Sequence, residues 1–262
     1  MRRQCKQQNM PCTLHRCLYL LAACCLLVAA PARARSKPDT TAEIQARLNK
    51  EFHKKKFQDI HASVADGVVT LTGTVKLFAY EADAIKMTQH IDGVRVVRNG
   101  IAVSGPDISD AQLQQKLLEQ IQITNNGFGD VFDAIGVEVR NGVVLLGGHA
   151  VDPTTADAAY SIAEYMPGVK AVINKIQVDP LSPLDNRIRE NEFQMIYGYG
   201  ALQQYATMPI RPIRISVQNG HVTLYGVVFS AMDKEIVGMR ANQVQGVFSV
   251  KNDLQIAGQE GQ

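Results

Sequence analysis

The chain has 262 residues, is 46% apolar and 20% charged, and lacks tryptophan, a composition that fits folded domains and excludes a disordered or collagen-like chain. Its formal net charge is +2, and no domain-length stretch carries the basic excess that a nucleic-acid footprint needs. All five cysteines (Cys5, Cys12, Cys17, Cys24 and Cys25) crowd into the N-terminal segment, so nothing in the body of the chain offers a thiol nucleophile, a disulfide or a cysteine metal site.

That N-terminal segment is distinct from the rest. Arg2, Arg3, Lys6 and Arg16 precede an apolar run at 18–30, and the small-residue patterns Ala30-Pro31-Ala32 and Ala32-Arg33-Ala34 follow. This is the pattern of a secretory signal peptide over residues 1–34. Its 13 apolar residues are too few to span a bilayer. Met10 is an alternative start to Met1. Leu21-Ala22-Ala23-Cys24 also resembles a lipoprotein box, which leaves a lipid anchor on Cys24 as the alternative to ordinary cleavage. Cleavage after Ala34 leaves 22 basic against 25 acidic residues, unevenly spread. Residues 35–105 carry 11 basic and 8 acidic, residues 106–180 carry 4 and 10, and residues 181–262 carry 7 and 7.

The first predicted helix covers 42–52, with Ile44 and Leu48 on one face. After it comes Phe52-His53-Lys54-Lys55-Lys56-Phe57, a basic connection bracketed by aromatics. Residues 60–73 then alternate around Asp66-Gly67. A two-residue Asp-Gly loop takes a type I′ turn, which needs positive φ at both positions and sets the register. Val64 must face Val69, Ala62 must face Leu71, and Ile60 must face Gly73. These positions share a buried face, leaving His61, Ser63 and Thr70 on a wet one. A helix at 78–91 is predicted to end at Gly93 as a C-terminal cap. A strand carrying Val94, Val97, Ile101 and Val103 returns to the sheet.

The same frame recurs twice. Residues 135–148 turn at Asn141-Gly142 and residues 213–226 at Asn219-Gly220. A Gly-Val pair stands 26 residues beyond the glycine of each turn, at Gly93, Gly168 and Gly246. Helices at 111–121 and 184–197 precede these hairpins, and helices at 154–166 and 231–244 follow them. Asn99, Asn174 and Asn252 hold one position in the third strand, where a buried amide fixing a bulge or the helix end is expected. The glycines facing Ile60, Ile135 and Ile213 are expected to remove bulk beneath the helix. Glu138 and Arg140, and Arg214, Ser216, Gln218 and Thr223, are the polar-face residues of the later copies.

The predicted fold class is therefore α+β: three tandem α-β-β-α-β modules, each a small three-stranded mixed sheet with two helices on one face. The modules span 41–105, 109–180 and 183–257, with a tail at 258–262 and short proline-bearing joints between them. Cores this small make packing between modules plausible on physical grounds.

An apolar hairpin with Asp/Asn-Gly, a helix ending in Gly-Val and a strand with Asn, all behind a leading helix, resemble the BON domain, named for osmotically inducible periplasmic and nodulation proteins. The resemblance covers essentially the whole mature chain. The third copy departs in its longer, aromatic lead-in from Phe193 to Tyr205. The resemblance implies a periplasmic, non-enzymatic protein that binds phospholipid surfaces or attaches to envelope proteins, in envelope maintenance or osmotic stress. It implies no cofactor and no catalytic residues.

Lys54, Lys55 and Lys56 are the first candidates for contact with anionic lipid; the alternative is a solvated loop with Phe52 and Phe57 packed inward. Phe128 and Phe132, in the glycine-rich connection of the second copy, are candidates for a membrane or partner contact, or else close the edge of a core. Phe193 to Tyr205 reads as core. His53, His61, His90, His149 and His221 have no metal-ligand spacing. Glu190 and Glu192, or Asp130 and Asp133, have no nucleophile or base at catalytic spacing. The expected partners are an anionic phospholipid surface, bound peripherally, or envelope proteins, with no nucleic acid and no transmembrane helix in the mature chain.

Overall fold

The computed structural model describes residues 40–124, 131–180 and 182–258. The predicted leader, Cys24 and Phe128 lie outside these residues.

The first unit runs α1 (Thr41–Phe52), β1 (Ile60–Ala65), β2 (Val68–Val75), α2 (Phe78–Gln89) and β3 (Val96–Val103). The second runs α3 (Asp110–Thr124), β4 (Ala134–Arg140), β5 (Val143–Ala150), α4 (Pro153–Tyr165), β6 (Ala171–Asn174) and β7 (Gln177–Val178). The third runs α5 (Pro183–Tyr197), α6 (Gln203–Ala206), β8 (Ile213–Gln218), β9 (His221–Val228), α7 (Ala231–Ala241), β10 (Ser249–Asn252) and β11 (Gln255–Ile256).

Local chemistry starts most of these helices. Thr40 caps α1 in a capping box with Glu43, whose carboxylate accepts from the Thr40 N–H at 2.7 Å. Asp152, Ser182 and Ser230 cap α4, α5 and α7, and Pro153 and Pro183 occupy first-turn positions where no N–H is missed.

The hairpins have the predicted register. Val64 faces Val69, Val139 faces Val144 and Val217 faces Val222. Asp66, Asn141 and Asn219 have φ of 49°, 53° and 51°, and the glycine after each is also positive, as type I′ geometry requires. In every unit the second hairpin strand is central, antiparallel to the first and parallel to the returning strand.

Three local expectations are corrected. Gly73, Gly148 and Gly226 do not make room for a helix: their φ values are 117°, 91° and 110°, and an added Cβ would lie within 2 Å of a backbone oxygen of the preceding chain segment. Gly93, Gly168 and Gly246 are not helix caps, because the helices stop earlier. Each sits third in a turn closed by the following valine, whose N–H donates to Ile91, Met166 or Val244 at 3.2–3.3 Å, a place that needs the positive φ observed. The repeated asparagine inserts no bulge, since one register offset holds on both sides of it in each unit. Its side-chain oxygen accepts the N–H two residues on, at 3.0 Å for Ile101 and Ile176 and 3.3 Å for Leu254. Nor is it buried: Asn99 and Asn174 are exposed and Asn252 half-buried. Asn99 and Asn252 also donate to the neighbouring helix, on Glu81 and on the Lys234 carbonyl.

Each unit has its own apolar cluster, centred on Leu48 and Leu71, on Leu117 and Leu146, and on Ile188 and Leu224. The clusters are bridged. Phe78 and Ile108 pack against the second, and Val131 and Phe132 belong to the third. The outer sheet face is wet in the first unit, where His61 and Ser63 are exposed. In the third unit that expectation fails: Ser216 is buried, and the Tyr225 ring stacks on His149 of the second unit at 6.2 Å.

Candidate functional site

The basic connection is shaped by its two aromatics. Phe52 and Phe57 are both buried, with ring centroids 5.7 Å apart, so the intervening residues are driven outward. The chain closes this loop as a 3-10 turn over Lys55–Phe57, with the Phe57 N–H donating to the Lys54 carbonyl at 2.8 Å. The inward packing of both phenylalanines was one of the two alternatives in the sequence. It leaves the lysines, not the rings, at the surface.

The three lysines then separate in role. Lys54 pairs with Glu51 at 2.5 Å and holds that exposed carboxyl below its ordinary pKa, chiefly through the hydrogen bond. Lys56 passes over the Phe57 and Tyr80 rings, 4.8 and 5.4 Å from their centroids, and ends on Asp83 at 2.7 Å. It ties the turn to α2. Lys55 has no acidic partner among the described residues, and neither has Lys76, which leaves the end of β2 beside it. Together with Lys56 they border a cleft of about 270 Å³ with Gln58, Thr74 and Tyr80, where Asp59 is the single acid against three lysines. It adjoins a second cleft of about 400 Å³, which continues past Leu77, Pro106 and Pro167. A cationic mouth therefore opens onto a more apolar groove at the joint between the first two units.

Lys76 was missed in the sequence because it stands alone in an apolar stretch. The strand that ends at Val75 brings it to the Lys55 side of the sheet.

Phe132 is corrected. It is 8% exposed, with its ring 6.5 Å from Phe193 in the third unit's cluster, and so is closed to a membrane. The aromatic lead-in is core at Tyr197 and Tyr205, as expected, with Phe193 packed against them, but Tyr199 is 38% exposed. The Tyr197 hydroxyl donates to the Ile213 carbonyl at 2.7 Å, and the Tyr205 hydroxyl donates to Asp233 at 2.7 Å. Burial pushes the Tyr205 phenol up to about 12.

Two polar devices had escaped the sequence. The Asp110 carboxylate accepts the N–H groups of Asn141 and Gly142 at 2.6 and 2.9 Å, and Asp185 does the same for Asn219 and Gly220 at 2.9 and 2.8 Å. Their signal was legible: each acid stands three residues before the first buried apolar residue of its helix, where the first unit has Thr41. The second device is a seam around buried Asp179. Its carboxylate accepts from Arg189 at 2.9 Å and Gln218 at 2.7 Å, with His149 at 3.3 Å. Arg189 also donates to the Val217 carbonyl at 2.6 Å. No sequence spacing links these four residues; only the packing of the second and third units does.

Among the described residues no helix is long and apolar enough to cross a membrane.

Comparison with known proteins places this geometry. The family model for the BON domain matches residues 36–105, 109–180 and 200–258. The third match begins after α5, where the enlarged connection interrupts the family pattern, yet α5 packs as the first helix of that unit. Osmotically-inducible protein Y of Escherichia coli (strain K12) is 28% identical over 148 residues, covering 52% of this chain and 70% of that protein. Two solved structures of CdsD, described as a structural protein of the type III secretion system of Chlamydia trachomatis, are 15% and 14% identical. They cover 83% and 84% of this chain and 92% and 98% of theirs, with TM-scores of 0.23 and 0.24, too low to carry an inference.

Proposed function

The chain belongs to the BON-domain family, and from that premise we propose that it is an exported, non-enzymatic envelope protein that docks peripherally on anionic phospholipid in the periplasm, in envelope maintenance or osmotic stress. One observation carries the reading: Lys55 and Lys76 stand without acidic partners at the mouth of the first unit's cleft, with Lys54 and Lys56 beside them. Near a membrane surface each lysine contributes about 1 kcal/mol of attraction to anionic headgroups. The basic excess of the first unit and the similarity to an osmotically inducible protein support the same reading.

Flotation of the mature chain with phosphatidylglycerol-containing vesicles tests it. Binding at low salt, weakened at high salt and reduced about tenfold or more in Lys55→Glu/Lys76→Glu, is expected. No flotation at low salt, or flotation that the double reversal leaves intact, overturns it.

A protein-docking role is favoured by a different observation. The third unit exposes Phe229, Met232, Met239 and Phe248, the last at 74%. At the place of Phe248, lying over the hairpin glycine, the other units carry Arg95 and Lys170. Capture of an envelope protein that survives the lysine reversals and fails with Phe248→Lys supports this second role.

A further inference from the structure

Each unit has one helix after its hairpin, and the chain pairs two of the three. Helix α2 of the first unit meets α4 of the second. Phe78, at the start of α2, packs against the second unit's cluster, and Glu164 of α4 lies within electrostatic reach of Asp83 and Lys86 on α2. The third such helix, α7, packs on α5, β9, β10 and β11 of its own unit, with Val237 and Ala241 buried. Met232, Ile236 and Met239 are spaced by four and three, and so form one stripe on it. Met232 is 70% exposed, Met239 is 58% exposed and Ile236 is half-buried. Just before the helix, Phe229 is also exposed, its ring stacked on Tyr205 at 5.2 Å.

Counted from the hairpin glycines, Ile236 and Met239 hold the places of Asp83 and Lys86, the two α2 charges that reach Glu164. The stripe that bears charge where α2 meets its neighbour is thus apolar and uncovered in α7. Such a stripe gains nothing for a unit standing alone, whereas a second helix would cover it, and methionine adapts its shape to one. Within one chain α2 and α4 take each other, which leaves α7 without an equivalent helix to meet. A second copy supplies one.

We propose that α7 pairs antiparallel with α7 of a second copy, about a two-fold axis near Ile236, so that Met232 of each lies against Met239 of the other. This rests on the protein-docking role of the third unit, with the chain itself as partner, and does not involve the lysine cleft. Glu235, exposed and next to Ile236, is the acid on the stripe, and pairing brings its two copies toward the axis. A helix pair is a small interface, so a Kd of about 1–100 μM is expected.

Sedimentation equilibrium of the mature chain at about 5–200 μM tests the pairing by covering that range. A monomer–dimer equilibrium is expected. Met232→Glu/Met239→Glu is expected to weaken it about tenfold or more with the thermal midpoint unchanged, since both side chains are exposed. Glu235→Gln and added salt are expected to tighten the dimer, the reverse of the salt response of lipid docking. Lys55→Glu/Lys76→Glu is expected to leave the dimer unchanged, so failure of the lipid reading and failure of this one are read separately. Residues 35–262 hold no cysteine, so oxidation of Met232→Cys mixed with Met239→Cys is expected to give a mixed disulfide dimer that neither variant forms alone. A monomer throughout, a dimer that the double glutamate variant leaves intact, or cross-linking of either cysteine variant by itself overturns the proposal.

Discussion

Glu192 is the residue whose chemistry is least like its type. It lies on α5, fully buried, and neither carboxyl oxygen has a hydrogen-bond partner among the described residues. Burial raises its pKa from 4.5 to about 8, so at neutral pH the folded state holds it as the neutral acid. The folded value lies above the unfolded one, so the folded state retains the proton while the unfolded chain sheds it. Stability is full below about pH 4.5, falls as pH rises through about 8, and is level beyond. Glu192→Gln is expected to remove that slope. It should gain about 2–4 kcal/mol at pH 8.5 and little at pH 4.5, read by urea unfolding followed through tyrosine emission. A pH slope that persists in the variant would assign it to another group. Gly226 makes the opposite kind of prediction. Its φ is 110°, and a Cβ there would sit 1.8 Å from the Pro212 oxygen, so Gly226→Ala is expected to cost about 2–4 kcal/mol in the same assay.

At the scale of elements, the hairpin turn and the helix ahead of it act as one device in the second and third units and not in the first. Asp185 is buried, and its carboxylate satisfies two backbone donors of the Asn219-Gly220 turn. Asp185→Ala leaves the buried Gly220 N–H unpaired and is expected to destabilise the third unit by about 2–4 kcal/mol, by chemical denaturation. Asp185→Asn, which keeps one acceptor oxygen, should lose less. The first unit holds its turn from the other side, through the Arg95 guanidinium, which donates to the Asp66 carbonyl, while the N–H of Arg95 on the Gly67 carbonyl at 2.7 Å is matched by Lys170 on Gly142 and Phe248 on Gly220. Identical turns thus have different supports. A hairpin turn needs only local φ values, whereas its support depends on which helix end reaches it.

At the scale of the molecule, the second and third units are joined by more than a linker. Asp179 receives His149, Arg189 and Gln218, while Phe132 enters the third cluster and His149 stacks on Tyr225. Asp179→Ala strands a buried guanidinium, so a loss of about 3–5 kcal/mol is expected. It should split a joint thermal transition of these two units into separate ones, by calorimetry. Unchanged coincidence of the transitions would show that the apolar contacts alone couple the units.

What the sequence determined by itself is everything with a short range or a strict period. The three hairpins follow from Asp66-Gly67, Asn141-Gly142 and Asn219-Gly220, because a two-residue turn leaves one register, and that register decides which face is apolar. The helices follow from four-and-three spacing, and the family likeness follows from hairpins and helices together. Tertiary structure alone decided which polar residues meet. Asp179 and Gln218 are 39 positions apart, and Lys55 and Lys76 are joined only by the sheet between them. It also decided that the third unit's polar face is covered and that Phe132 belongs to a neighbour's core. Each depends on how one unit lies on the next, and neither periodicity nor turn chemistry within one unit specifies the surface that a second unit will cover.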